Sequence, residues 1–355
     1  MKQDSSGLIR HVDDELAAFF DDRERAFVLI GEDLVPVVEA ARRFVLDGGK
    51  RLRPLFAYWG WRSAGVGDGY SPGLISAAAS LELLHACALV HDDVMDASET
   101  RRGRAAAHAA FAERHRAAGW SGDAAVFGTA AAIVLGDLLL AWSDSMFASA
   151  TIGAAERLGA RGVYDEMRQL VMAGQYLDVL VQARGAFSID EALRVIEYKT
   201  SKYTVEGPLH LGAAVAGAPA VVFEALSAYG LALGEAFQLR DDVLGVFGDP
   251  ALTGKPAGDD LREGKHTLLT ALAMRSAGPT QTNLLQRGLG DRALDADRVA
   301  ALQEVIVSTG ALERVEHRIT ERAAEASRAL ETDALDPAAR VALGELVGSA
   351  TRRHS

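Results

Sequence analysis

A single cysteine, Cys87, in a chain of 355 residues rules out any intramolecular disulfide. The N-terminus, MKQDSSGLIRHVDDELAAFFDD, is acidic where a secretory signal would place a long apolar run. A cytoplasmic protein is therefore expected. No stretch approaches twenty apolar residues free of charge, so no transmembrane segment is expected. Positive charge is also short: 37 Lys and Arg against 49 Asp and Glu leave a net charge of −12, which argues against general affinity for nucleic acid or acidic membrane surfaces. Any anionic ligand must be captured locally, by few cations. There is no short-period repeat and no long polar linker, so one domain over residues 1–355 is expected, with frayed ends at about 1–7 and 349–355.

What remains is apolar and helical. Hydrophobic residues make up 49% of the chain and recur at helical spacing, while strand-like alternation of Val, Ile and Thr is nearly missing, so the fold class is all-α. One long helix is predicted from Ser71-Pro72, an N-cap followed by proline at the first helical position, through GLISAAASLELLHACALVHDDVMD. It is apolar on most sides, as a helix in the middle of a core would be. A second opens on the capping sequence Ser188-Ile189-Asp190-Glu191 and runs towards Pro208, where a kink or break is expected. A third reads VVFEALSAYGLALGEAFQLRDDVLGVFGD. Charged, glycine-bearing loops lie at DGGKRLRP, ASETRRGR and GDPALTGKPAGDDLREGKHT.

Two of these helices end in acids. In DDVMD, Asp92 and Asp96 are four apart and share a helix face, with Asp93 about 100° away. Alone, such a string also fits a solvated helix end. Here it caps an almost wholly apolar helix, and Asp241-Asp242 repeats the arrangement on the third. Two facing acidic clusters would repel unless cations lay between them. Oxygen-only ligation suits Mg²⁺, which takes one or two carboxylates and completes its shell with water and substrate phosphate oxygens. Basic groups follow each cluster: Arg101, Arg102 and Arg104 after the first, Lys255 and Lys265 after the second, with Lys50, Arg51, Arg53, Lys199 and Lys202 elsewhere. Grouped beside paired aspartates, they read as diphosphate clamps. Gly48 and Gly49 would let backbone N–H groups approach a phosphate, although GGKRLRP is equally a solvated turn on its own. His85, on an apolar face, is as readily a core histidine as a ligand.

In order along roughly residues 30–330, the motifs GGKRLRP, LELLHACALVHDDVMDASETRRG, GDLLLA, GQYLD, YKT, FQLRDD, GK and LREGKHT resemble those of the trans-isoprenyl diphosphate synthases, or polyprenyl synthetases. The resemblance implies long, mostly antiparallel helices around a deep central cavity, usually in a homodimer, and head-to-tail condensation of isopentenyl diphosphate with an allylic diphosphate. Asp92 and Asp96 resemble the ligands of Mg²⁺ on the allylic diphosphate, and Asp241 the ligand of another Mg²⁺ on the opposite wall, with Asp93 and Asp242 orienting them. Arg101, Lys199 and Lys255 resemble the allylic diphosphate clamp, with Lys265 nearby; Lys50, Arg53, His85 and Arg102 resemble the isopentenyl diphosphate clamp. Mg²⁺ with Lys and Arg would stabilise the departing diphosphate, and Thr200 and Gln238 would turn oxygens towards the allylic cation. The apolar helices would keep water from quenching that cation.

One position departs from the family: DDVLG carries Gly245 where the last aspartate of the second motif usually stands. Weaker metal binding is expected there, partly made good by Asp249, Asp259 or Asp260, and Gly245→Asp is expected to lower the Mg²⁺ requirement. A class I terpene cyclase would need a second metal element that Gly245 and Asp249 do not supply, and would have no use for a second diphosphate clamp; a non-catalytic partner subunit would have lost these acids and cations. For product length, a tail anchored at Asp92 and Asp96 runs back along its helix past Cys87 and Ala88, both small, then past Leu84. Geranylgeranyl diphosphate is therefore the expected product, with farnesyl or longer polyprenyl diphosphates as the alternatives.

Overall fold

The computed structural model describes residues 2–249 and 257–351. Lys255 therefore lies outside the described residues. Sixteen α-helices and one two-stranded hairpin are described, and they group into two compact units. The first comprises residues 1–161 with 211–218, the second 162–210 with 219–355.

The first unit contains α1 (Lys2–Val28), α2 (Val35–Leu46), α3 (Leu52–Ser63), α4 (Pro72–Met95), the hairpin β1 (Thr100–Arg101) and β2 (Arg104–Ala105), α5 (Ala107–Ala117) and α6 (Ala124–Ser149). On α1, Leu8, Val12, Leu16 and Phe20 recur every four residues and are all fully buried. That stripe gives the helix its one core face. The helix is described from Lys2 onward, and its buried stripe begins at Leu8. As expected, α4 starts at Ser71, whose hydroxyl accepts from the Leu74 N–H at 3.1 Å. It runs through the unit's centre, packed along α6, with Leu81 and Leu84 on one face and Leu83 on the opposite one, all buried.

The second unit contains most of α7 (Ala154–Arg184), then α8 (Ile189–Val195), the start of α9 (Gly207–Val215), α10 (Ala220–Phe247), α11 (Asp259–Glu263), α12 (Leu268–Ser276), α13 (Pro279–Gly288), α14 (Ala296–Ser308), α15 (Ala311–Ala329) and α16 (Pro337–Thr351). The Ser188 cap forms, accepting from the Glu191 N–H. The chain beyond α8 is not an α-helix: residues Ile196–Glu206 are π-helical, and α geometry resumes only at Gly207. Pro208 explains the junction. Its missing N–H and its ring cannot serve the usual i−4 carbonyl, and the Gly207 N–H bonds instead to Lys202 five residues back. The C-terminal helix is held to α10, with Arg240 Nε donating to the Thr351 carbonyl at 2.9 Å and Tyr229 Oη to Leu343 at 2.8 Å.

Among the described residues three helices, α4, α6 and α10, are long and apolar enough to cross a membrane by length and composition, against the expectation that none is. Isolated acids such as Asp137 and Asp144 interrupt α6 too sparsely to lower its hydropathy much. In α4, 78% of the apolar window is buried in the protein; in α6 only 28% is, leaving Val126, Ile133 and Val134 exposed.

Candidate active site

The first unit brings two separately encoded basic segments together beside DDVMD. Gly48 and Gly49 adopt φ of 126° and 114°, open to glycine but strained for other residues, and Arg51 follows in the left-handed region at φ 48°. The side chain of Arg51 accounts for that conformation. It is buried, with Nε 2.8 Å from Asp13 Oδ1 on α1 and Nη1 2.8 Å from the buried Glu82 Oε2 on α4. Arg51 is thus the anchor of the loop, leaving Lys50 exposed on one side and starting α3 so that Arg53 lies in its first turn. Removing one partner of such a buried pair leaves an uncompensated charge, so Glu82→Gln is expected to cost about 3 kcal/mol of stability. Urea unfolding measures this. A loss under about 1 kcal/mol would place the pair among weak surface bridges.

The hairpin turns through Arg102 and Gly103, both at positive φ, as a two-residue primed turn requires. Arg104 pairs with Asp47 at 2.6 Å and Arg102 Nη1 donates to the Gly48 carbonyl at 3.2 Å, which docks the hairpin on the GGKRLRP loop. Arg101 points the other way, donating from Nε to Asp93 Oδ1 at 2.8 Å and lying 3.7 Å from Asp92 Oδ2. Asp93 is fully buried, and burial raises its pKa despite Arg101. It therefore orients Arg101, while Asp92 and the helix C-cap Asp96 keep partial exposure on their shared face. Burial, and then the guanidinium groups of Arg53, Arg102, Arg101 and Arg51, hold the His85 imidazole well below its ordinary pKa. It is neutral, and it sits among the arginines of both segments.

Lower on α4, Cys87 and Leu84 are buried and Ala88 is half-buried. The Cys87 thiol lies 3.8 Å from His91 Nδ1, and burial, with Asp137 adding to it, pushes its pKa up to about 12. It is an inert, space-filling group.

In the second unit the π-helix presents Lys199 and Thr200 at neighbouring positions. Lys199 Nζ reaches Asp178 Oδ2 at 2.6 Å, and a Cβ on Gly174 would stand 2.4 Å from the Lys199 backbone nitrogen. The GQYLD motif therefore positions this lysine: its glycine lets the π-helix approach and its aspartate holds the ammonium. Asp178 is not singled out by the sequence alone, although it ends GQYLD, one of the motifs that carry the family resemblance. Thr200 Oγ1 donates to Gln238 Oε1 at 2.7 Å, and Gln238 Nε2 donates to Asp242 Oδ1 at 2.7 Å. Gln238 is thus engaged at both ends, leaving the Thr200 lone pairs to accept. Burial pushes Asp242 up to about 8 against the opposing Gln238 bond, with Asp260 and Asp241 adding to the rise; neighbouring Asp241 is exposed. Lys265 Nζ lies 2.9 Å from Glu263 and 3.6 Å from Asp260.

At Gly245 the place of the missing side chain is taken by a neighbour. A Cβ there would meet Asp260 Oδ2 at 1.9 Å and its Cγ at 2.4 Å, so an acid restored at 245 would have to displace the Asp260 carboxylate. Among the described residues, no three His, Cys, Asp or Glu side chains converge as a self-sufficient metal cage. The donors available are carboxylate oxygens in ones and twos, a set that fits a hard cation completed by phosphate and water.

Paired acids at helix ends, each with arginine or lysine fixed beside them on an all-α scaffold, define a class of enzymes that handle diphosphates with a divalent metal. The chain belongs to the polyprenyl synthetase family, whose model matches residues 36–306, and is accordingly a prenyltransferase. It is 35% identical over 282 residues to the geranylfarnesyl diphosphate synthase of Aeropyrum pernix, covering 79% of this chain and 82% of that protein. It is 33% identical over 306 residues to the geranylgeranyl diphosphate synthase of Mycobacterium tuberculosis, covering 85% and 80%. A crystal structure of the Corynebacterium glutamicum geranylgeranyl pyrophosphate synthase, complexed with isoprenyl diphosphate and magnesium, superposes with a TM-score of 0.94 at 40% identity over 98% of both chains.

Proposed function

We propose that this protein condenses isopentenyl diphosphate head to tail with an allylic diphosphate to give all-trans geranylgeranyl diphosphate, using Mg²⁺. The docking of the RRG hairpin on the GGKRLRP loop, through Arg102 and the Gly48 carbonyl, carries the reading. It sets Arg102 against the loop that carries Lys50 and Arg53, with His85 beside Arg53 and Arg102, and supports a second diphosphate site next to Arg101 and Asp92. A cyclase acting on one diphosphate has no use for it.

Asp92 and Asp96 would hold metal on the allylic diphosphate and Asp241 a further ion. When bound, Mg²⁺ neutralises the charge that develops on the departing diphosphate. The residues do the remainder. Arg101, fixed by Asp93, and Lys199, fixed by Asp178, place positive charge without reorganisation at the moment of ionisation. The Thr200 hydroxyl, its proton committed to Gln238, offers only lone pairs to a cation. Neutral His85 donates or accepts a hydrogen bond without adding charge. Mixing the two diphosphates with Mg²⁺ should release inorganic diphosphate only when both are present. Equal release from the allylic diphosphate alone would overturn the reading.

We further propose a homodimer, supported by the exposed apolar residues of α6, Val126, Ala130, Ile133, Val134 and Ala141, which share one side of the helix with a single exposed acid, Asp137. The wild type should sediment at the mass of two chains and Val134→Glu at the mass of one. A monomeric wild type would contradict this.

A further inference from the structure

We propose that Asp260, from α11, supplies the carboxylate that Gly245 withholds on α10, so that the second acidic cluster binds metal through Asp241 and Asp260. The inference rests on the diphosphate-metal reading above and adds to it which residue completes that cluster.

Gly245 stands one turn after Asp241, so the two share a face of α10. A glycine inside a helix costs roughly 0.5–1 kcal/mol relative to alanine and calls for a local reason. Here the reason is spatial. The Asp260 carboxylate occupies the place of the missing side chain, with Oδ2 1.9 Å, Cγ 2.4 Å and Oδ1 2.9 Å from where a Cβ would stand. Both oxygens thus lie over the face that a side chain at position 245 would cover. An acid in the first turn of α11, with Lys265 3.6 Å away, accounts for a carboxylate at 260. It does not account for the absence of a side chain at 245. The two features together describe an exchange in which the carboxylate is delivered from a neighbouring helix while the α10 position is emptied to admit it.

Binding of Mn²⁺ in the presence of inorganic pyrophosphate, followed by the loss of the free-ion electron paramagnetic resonance signal, tests this without reference to turnover. Asp260→Ala removes the carboxylate; Gly245→Ala displaces it by bulk while adding no charge. Each should weaken pyrophosphate-dependent Mn²⁺ binding about ten-fold or more. The exchanged pair, Gly245→Asp with Asp260→Gly, should regain most of that loss, because the acid then springs from α10 into vacated space. Gly245→Asp alone should not. Should Gly245→Ala bind as the wild type does, or the exchanged pair bind no better than Asp260→Ala, the assignment of Asp260 is wrong. Pyrophosphate-dependent binding absent from the wild type itself would instead overturn the function reading. Thermal unfolding of the exchanged pair close to that of the wild type confirms that the comparison is between folded proteins.

Discussion

Asp92→Ala should lower turnover by at least about 10²–10³-fold at saturating Mg²⁺, the scale on which a single group stabilising developing charge acts. The fold should survive the change. Asp92 lies in the last turn of α4 with its side chain partly exposed, and the helix-ending bond from the Asp96 N–H to the Asp92 carbonyl, 2.8 Å, uses only backbone. The helical circular dichroism and unfolding midpoint should therefore match the wild type. Asp93→Ala makes the contrast. Its carboxylate is buried against Arg101, so its loss frees Arg101 and opens a polar void, and stability should fall along with activity. An Asp92→Ala enzyme that keeps most of its rate would remove Asp92 from the metal site.

The second large effect is on the product. An allylic tail anchored at Asp92 and Asp96 passes, one turn back, Cys87 and Ala88, and each turn advances about 5.4 Å, close to one isoprene unit. Neither residue offers a wall. Phenylalanine at 88, a half-buried position, should fill the path and move the main product from geranylgeranyl to farnesyl diphosphate. Phenylalanine at 87 should do the same but at a cost in stability of about 1–3 kcal/mol, since Cys87 is buried with His91 at 3.8 Å. Product analysis by chromatography reads the shift. Unchanged products from both variants would mean that the tail does not run along this face.

Much of this was legible in the sequence because it is local. The Ser71-Pro72 start, the Ser188 cap and the clustering of acids at helix ends follow from spacing and capping chemistry within a few residues. The parts that were not legible depend on contacts between distant segments. Arg51 reads as one more cation in GGKRLRP; its partners Asp13 and Glu82 lie 38 and 31 residues away, and only their packing shows it to be structural. Gly245 reads as a lost ligand until Asp260 is found in its place. The π-helical stretch carries no periodicity that separates it from α-helix over eleven residues, and the isolated acids of α6 mask an apolar length that its mean hydropathy reveals.

The most direct test is incubation of the full chain with labelled isopentenyl diphosphate and, in turn, dimethylallyl, geranyl and farnesyl diphosphates, with and without Mg²⁺. Label should enter a prenyl diphosphate only when an allylic primer and Mg²⁺ are both present, and twenty-carbon geranylgeranyl diphosphate should be the main product from each primer. Consumption of an allylic diphosphate to an unlabelled hydrocarbon or alcohol, with isopentenyl diphosphate untouched, would contradict it.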